Sequence, residues 1–221
     1  MKNAFLQRRH FNCLAACAFG ASALALPLQG FGQSSKASKV LIVGDSLSAE
    51  YGLQRGTGWV ALLGQTLAKE KPLAQVVNAS ISGDTTSGGR SRLGALLKSH
   101  QPQVLVIELG GNDALRGLDL QVTRQNLQAM IAAAKASKAK VLLLGMQMPP
   151  NYGAAYARQF AALYADLAKQ ESVALVPFFL KDVGDGPDAA SLFQADRIHP
   201  NEKAQPKMLA NVWPELKKLI P

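Results

Sequence analysis

The sequence predicts an α/β protein, a doubly wound parallel sheet with helices on both faces, and two observations lead to it. Short apolar runs recur at Val40–Val43, Val76–Val77, Val104–Leu109, Val141–Leu144 and Ala174–Phe179. Such near-continuous runs suit strands buried on both faces of a parallel sheet. Between and after them lie longer segments with helical spacing, at Trp59–Lys69, Gly88–Ser99, Thr123–Ser137, Tyr152–Glu171 and Glu202–Leu219. Strand and helix alternating five times is the order of an open α/β sheet. In that architecture ligands bind beyond the carboxyl ends of the strands.

The elements in order give each strand a polar sequel. The first run leads into Gly44-Asp45-Ser46-Leu47-Ser48, the second into Asn78-Ala79-Ser80-Ile81-Ser82-Gly83-Asp84-Thr85-Thr86, and the third into Gly110-Gly111-Asn112-Asp113. Asp196-Arg197-Ile198-His199-Pro200 stands just before the last helical segment. Taken alone, each has a plain structural meaning. Ser46 reads as the N-cap of the next helix, because serine is a favoured cap. The Gly/Asn/Asp stretches read as turns, and Asp196 and His199 as a solvated loop.

Their conjunction reads differently. A serine hydroxyl is a weak nucleophile, so a catalytic Ser46 needs a base and an oxyanion-binding group from elsewhere in the chain. Of the 3 histidines, His10 lies near the amino terminus and His100 ends a polar helical segment, where a helix-terminal role suffices. His199 is the remaining base. Asp196, three residues before it, can hold one imidazole nitrogen while the other faces the serine. A backbone amide at Gly83 and the side-chain amide of Asn112 are suitable oxyanion donors. This chemistry calls for no metal or organic cofactor, and the sequence lacks a zinc-ligand cluster such as His-Glu-x-x-His.

The 221 residues, 48% apolar and 18% charged, are enough for one substantial core. Residues 1–32 depart from that composition. Lys2, Arg8 and Arg9 precede an acid-free run rich in Ala and Leu from Leu14 to Leu28, which is the layout of a cleaved signal peptide. Arg8-Arg9 resembles a twin-arginine signal and also fits the basic end of an ordinary leader, so both export routes stay open. Leu14-Ala15-Ala16-Cys17 resembles a lipoprotein cleavage box, but the stretch after Arg9 is shorter than the ~7–15 apolar residues a leader core needs. The expected organisation is a leader at 1–32, a polar lead-in at 33–38 and one catalytic domain at 39–221, acting in the periplasm or outside the cell. Both cysteines, Cys13 and Cys17, fall in the leader, so the domain folds without a disulfide. The formal net charge is +9, with Lys and Arg dispersed rather than clustered with aromatics. That pattern predicts no nucleic-acid partner and allows transient contact with anionic lipid.

The four polar blocks together resemble the GDSL or SGNH hydrolases, and among them the bacterial periplasmic thioesterase, lysophospholipase and arylesterase group. The resemblance rests on Gly-Asp-Ser-Leu-Ser at 44–48, Asn-Ala-Ser-Ile-Ser-Gly-Asp-Thr-Thr at 78–86, Glu-Leu-Gly-Gly-Asn-Asp at 108–113 and Asp-Arg-Ile-His-Pro at 196–200. It implies a flavodoxin-like three-layer α/β/α sandwich with a five-stranded parallel sheet. It implies Ser46 as nucleophile, Asp196 and His199 as the rest of a triad, and the Ser46 amide, Gly83 and Asn112 as the oxyanion hole. It also implies an acyl groove bordered by Met148, Pro149 and Asn151, and a mobile loop at Ala114–Asp119 that includes Leu115. Met146 and Met148 equally suit core filling. The expected substrate is a small acyl ester or thioester, taken by a monomer. Two rival readings are a deacetylase on the same fold and a non-catalytic envelope binding protein, since fold does not dictate function.

Overall fold

A computed structural model describes residues 37–148 and 152–221. The leader at 1–32, the start of the lead-in, and Pro149 and Asn151 of the expected groove lie outside the described residues. Five parallel strands, β1 (Ser38–Gly44), β2 (Ala74–Asn78), β3 (Val104–Glu108), β4 (Lys140–Leu144) and β5 (Ala174–Val176), form one sheet in the order β2-β1-β3-β4-β5. The helices are α1 (Trp59–Glu70), α2 (Thr86–His100), α3 (Gly111–Leu115), α4 (Leu120–Ala136), α5 (Ala154–Glu171), α6 (Ala189–Leu192) and α7 (Gln205–Leu219).

Residues 40–44 of β1 and the whole of β3 are buried because helices cover both faces of the sheet. On one side α1 packs with α7, and on the other α2 packs with α4 and α4 with α5. The three-layer expectation therefore holds. Trp59, Phe160, Tyr164 and Phe179 are the largest side chains of the core, and Trp59 meets Phe179 edge-on at 5.4 Å between ring centroids. The chain leaves β1 in one direction along the sheet and β3 in the other. Between these neighbouring strands lies the switch point where doubly wound sheets open a crevice.

Several boundaries differ from the sequence expectation. The run Ala174–Phe179 stays extended only to Val176, because Pro177 has no N–H for the ladder, although Phe179 remains buried in the core. The Gly110-Gly111-Asn112-Asp113 stretch, read as a turn, instead opens the short helix α3, and Ala114 and Leu115 of the expected loop complete it. α2 begins two residues earlier than Gly88, with the Thr85 hydroxyl accepting from the Gly88 amide at 3.3 Å. α4 begins at Leu120, capped by Asp119 through Gln121 N at 2.8 Å. The last expected helix divides into a 3₁₀ turn at Glu202–Ala204 and α7.

Gly110 makes the sharp entry into α3. Its φ of 115° is a conformation that residues with a Cβ rarely adopt, and a Cβ there would lie 2.3 Å from the Tyr164 hydroxyl oxygen. That hydroxyl is buried and donates to the Leu109 carbonyl at 2.9 Å. Gly110→Ala is expected to cost on the order of 2–3 kcal/mol by combining backbone strain with this overlap. Urea unfolding of the two proteins side by side measures it, and a loss below about 0.5 kcal/mol would contradict the strain argument.

Candidate active site

β1 delivers Ser46 into a tight turn just past its carboxyl end. Gly44 has no room for a Cβ, which would lie 2.7 Å from Glu108 Oε2 and 2.8 Å from Ser48 Oγ. The close approach lets Glu108, at the end of the neighbouring β3, accept from Asp45 N at 3.2 Å and from Ser48 Oγ at 2.7 Å. Trp59 Nε1 donates to Ser48 Oγ at 3.2 Å, and Asn78 Nδ2 to the Ser48 carbonyl at 2.7 Å. Asp45 Oδ1 accepts from Leu47 N at 3.1 Å and closes the turn around the serine. Ser46 does not cap a helix, since α1 starts only at Trp59 with Gly58 as its N-cap.

The segment before α7 supplies the other two members. A bridge between Phe193 and Pro200, with Gln194 N donating to the His199 carbonyl at 2.8 Å, draws it into a closed loop. Asp196 divides its two oxygens. Oδ1 accepts the amides of Ile198 at 2.9 Å and His199 at 3.0 Å, while Oδ2 lies 2.6 Å from His199 Nδ1. His199 Nε2 then lies 3.0 Å from Ser46 Oγ. With Nδ1–H donated to Asp196, Nε2 is the unprotonated nitrogen and accepts the hydrogen bond of the Ser46 hydroxyl. The hydrogen bond from the His199 ring, helped by the two amides, holds the Asp196 carboxyl down to about 2. It is therefore ionised at any working pH. Tyr51 covers the His199 ring with centroids 4.4 Å apart, and its carbonyl is tied to this loop by Gln194 Nε2 at 2.8 Å.

Asn112 lies on α3, where its Nδ2 donates one hydrogen to Asp45 Oδ2 at 3.0 Å. The second hydrogen of that amide is available to a ligand. Gly83 lies in the turn after β2, in which Ile81 N bonds to the Gly44 carbonyl at 3.0 Å. Two cross-ties join this turn to α3. Arg116, just after α3, donates to the Gly83 carbonyl at 2.8 Å, and the buried Asp113 accepts Thr86 N at 2.9 Å and Thr86 Oγ1 at 2.5 Å. Ser46, Asp196 and His199 are thus joined directly, and Asn112 and Gly83 are held beside them through Asp45 and Arg116. His100 ends α2, at the opposite edge of the sheet. Leu115 is exposed on α3, whereas Met146 and Met148, each 8% exposed, belong to the core.

Sequence reasoning gave no role to Asp45, Glu108, Asp113, Arg116 or Tyr51. One signal for Glu108 was available: an acid inside the otherwise apolar run Val104–Leu109. An acid buried in such a run needs partners to offset its desolvation.

A doubly wound sheet with a Ser-His-Asp relay at its switch point defines the class of α/β serine hydrolases. The GDSL-like Lipase/Acylhydrolase family matches residues 42–205, and the chain belongs to that family. It is a hydrolase of ester bonds. It is 53% identical over 188 residues to Esterase TesA of Pseudomonas aeruginosa, spanning 85% of this chain and 92% of that one. It is 44% identical to Thioesterase 1/protease 1/lysophospholipase L1 of Escherichia coli, spanning 85% and 88%. Among solved structures it resembles the psychrotrophic esterase EstA of Pseudoalteromonas sp., inhibited by monoethylphosphonate. That likeness has a TM-score of 0.77 at 38% identity, covering 82% of this chain and 97% of EstA.

Proposed function

We propose that this chain hydrolyses acyl esters and thioesters through an acyl-enzyme on Ser46. The observation that supports this best is the relay from Asp196 through His199 to Ser46, at 2.6 and 3.0 Å. His199 takes the serine proton as Oγ attacks the acyl carbonyl. The developing oxyanion is bound by the amides of Ser46 and Gly83 and by the second Nδ2 hydrogen of Asn112. The imidazolium, stabilised by Asp196, protonates the leaving alcohol or thiol. Water, activated by the same imidazole, then attacks the acyl-serine and releases the acid. All these groups come from one chain, so a monomer suffices.

The substrate class follows from the rim. Tyr51, Ile81, Ile198, and Leu115 with Leu118 at the end of α3, are exposed apolar side chains from four segments at the carboxyl edge of the sheet, within a few residues of the site in sequence or contact. Exposed apolar groups concentrated around one site fit an acyl chain. Arg55 and Arg197 are exposed on the same edge and suit an anionic lipid surface. This supports lysophospholipids and similar single-chain esters, consistent with the activity named for the Escherichia coli relative. Among the described residues no helix is long and apolar enough to cross a membrane. The proposed setting is the periplasm or beyond, with residues 1–32 removed on export.

A fluorophosphonate probe followed by an ester series tests the reading. The expected result is labelling at Ser46, with octanoyl esters and lysophosphatidylcholine turned over faster than acetyl esters. Folded protein that takes no label would leave a binding protein, and a preference for acetate would leave a deacetylase.

A further inference from the structure

Glu108 is 1% exposed and has no part in the bond-making steps above. It occupies the last position of β3, directly opposite Gly44 in the register of β1 and β3. Its Oε2 holds two groups that flank the nucleophile, Asp45 N at 3.2 Å and Ser48 Oγ at 2.7 Å. Asp45 is 3% exposed and passes the constraint on, because its Oδ2 accepts from Asn112 Nδ2 at 3.0 Å. A continuous path of hydrogen bonds and one residue's own covalent frame therefore runs from Ser48 through Glu108 and Asp45 to Asn112. An apolar side chain at 108 would fill the same space between helix-covered strands without the cost of burying a carboxyl group. The acid stands where its hydrogen bonds meet both halves of the site.

We propose that Glu108 is a positioning residue of this hydrolase: its buried carboxyl group clamps the Ser46 turn and, through Asp45, aims the Asn112 amide, fixing nucleophile and oxyanion donor relative to one another. This rests on the roles proposed above for Ser46 and Asn112. The electrostatics agree with it. Burial raises both carboxyl groups, Asp45 to about 6 and Glu108 well above the usual carboxylate range, the latter also through the adjoining Asp45 charge. The Leu47 amide and the Asn112 side chain, both donating to Asp45, partly offset its rise, and Tyr164 on α5 faces the pair as a phenol whose own ionisation burial disfavours. Asp45 Oδ2 still accepts from Asn112 Nδ2. A misplacement of about 1 Å between reacting groups is enough to cost on the order of 10²-fold in rate.

The experiment compares E108Q, E108D and E108L, each alone and in an N112A background, by kcat, KM and melting temperature on a short p-nitrophenyl ester. N112A alone is expected to lower kcat by about 10²–10³ with little change in KM. E108Q keeps an acceptor for Ser48 and Asp45 N and a donor for Asp45, so its kcat stays within about threefold of wild type. E108L, and E108D with its shorter reach, lose about tenfold or more in kcat at near-constant KM. In the N112A background the further loss shrinks to about threefold, because one of the aimed groups is already gone. Wild-type kcat in folded E108L overturns the proposal, as does equal loss in both backgrounds. Loss in E108Q as large as in E108L also overturns it. If E108L does not fold, E108D against E108Q decides, and normal kcat in E108D overturns the clamp. Fluorophosphonate labelling of the same wild-type preparation keeps the two ideas apart. Its failure removes the role of Ser46, whereas labelled wild type with indifferent Glu108 variants removes only the clamp.

Discussion

Ser46→Ala is expected to lower kcat by roughly 10⁶-fold and to leave the fold intact. The turn that carries Ser46 is held by Glu108 Oε2 on Asp45 N and Ser48 Oγ, by Asp45 Oδ1 on Leu47 N, and by Asn78 Nδ2 on the Ser48 carbonyl. None of these uses the Ser46 hydroxyl, whose partner is His199 Nε2. Removing Oγ therefore removes the bond-forming atom and almost nothing else. A melting temperature within about 2 °C of wild type is expected, since replacements that disturb no packing or network stay within about 0.5 kcal/mol. Residual turnover reflects the oxyanion donors and substrate binding alone. Activity, thermal melting and probe labelling on one preparation check it. Wild-type turnover in Ser46→Ala, with loss in His100→Ala, would move the site to the other edge of the sheet.

Asp196→Asn is expected to lower kcat by about 10⁴-fold at neutral pH, less than Ser46→Ala. The Ile198 and His199 amides require an acceptor, so the carboxamide oxygen takes the place of Oδ1. Its NH₂ then faces His199 Nδ1, which must accept instead of donate. The ring proton moves to Nε2 and points at Ser46 Oγ, so the base is in the wrong tautomer. Thermal stability supplies a second readout. Asp196 falls from 3.8 to about 2 on folding, so its contribution is present above 3.8 and is lost as pH falls through 2. Melting temperatures of wild type and Asp196→Asn should converge over that window. The effect is small, because the carboxylate is 37% exposed and screened by water. Near-normal kcat in Asp196→Asn at neutral pH would show that Asp196 does not set the tautomer.

How legible these features were depended on the range of the interactions that fix them. The strands announced themselves because burial on both faces leaves a run such as Val40–Val43 with no polar member. Ser46, Gly83, Asn112, Asp196 and His199 could be proposed from the sequence because each follows or flanks a predictable element. α3 was not. Gly110 and Gly111 signal a turn, and what makes the stretch helical is partly Asp113 reaching Thr86, 27 residues away. The pairing of Asp45 with Glu108 spans 63 residues and has no local signature. Pro177, by contrast, was a local signal for ending β5 that the apolar run Ala174–Phe179 outweighed. The leader at 1–32, Pro149 and Asn151 remain readings of the sequence alone.

The bond between His199 and Ser46 spans 153 residues, which gives the enzyme a built-in order of assembly. A ribosome working from the amino end supplies the proposed nucleophile with the first strand and the proposed base only after the fifth, shortly before the final helix. No nascent chain that stops short of residue 199 can complete the relay, however much of the sheet has formed. Long-range pairs of this kind close late, because the intervening chain must be ordered before they form. Ester turnover followed during refolding consequently reports the docking of the segment before α7 onto the β1 turn, and it lags behind probes of secondary structure.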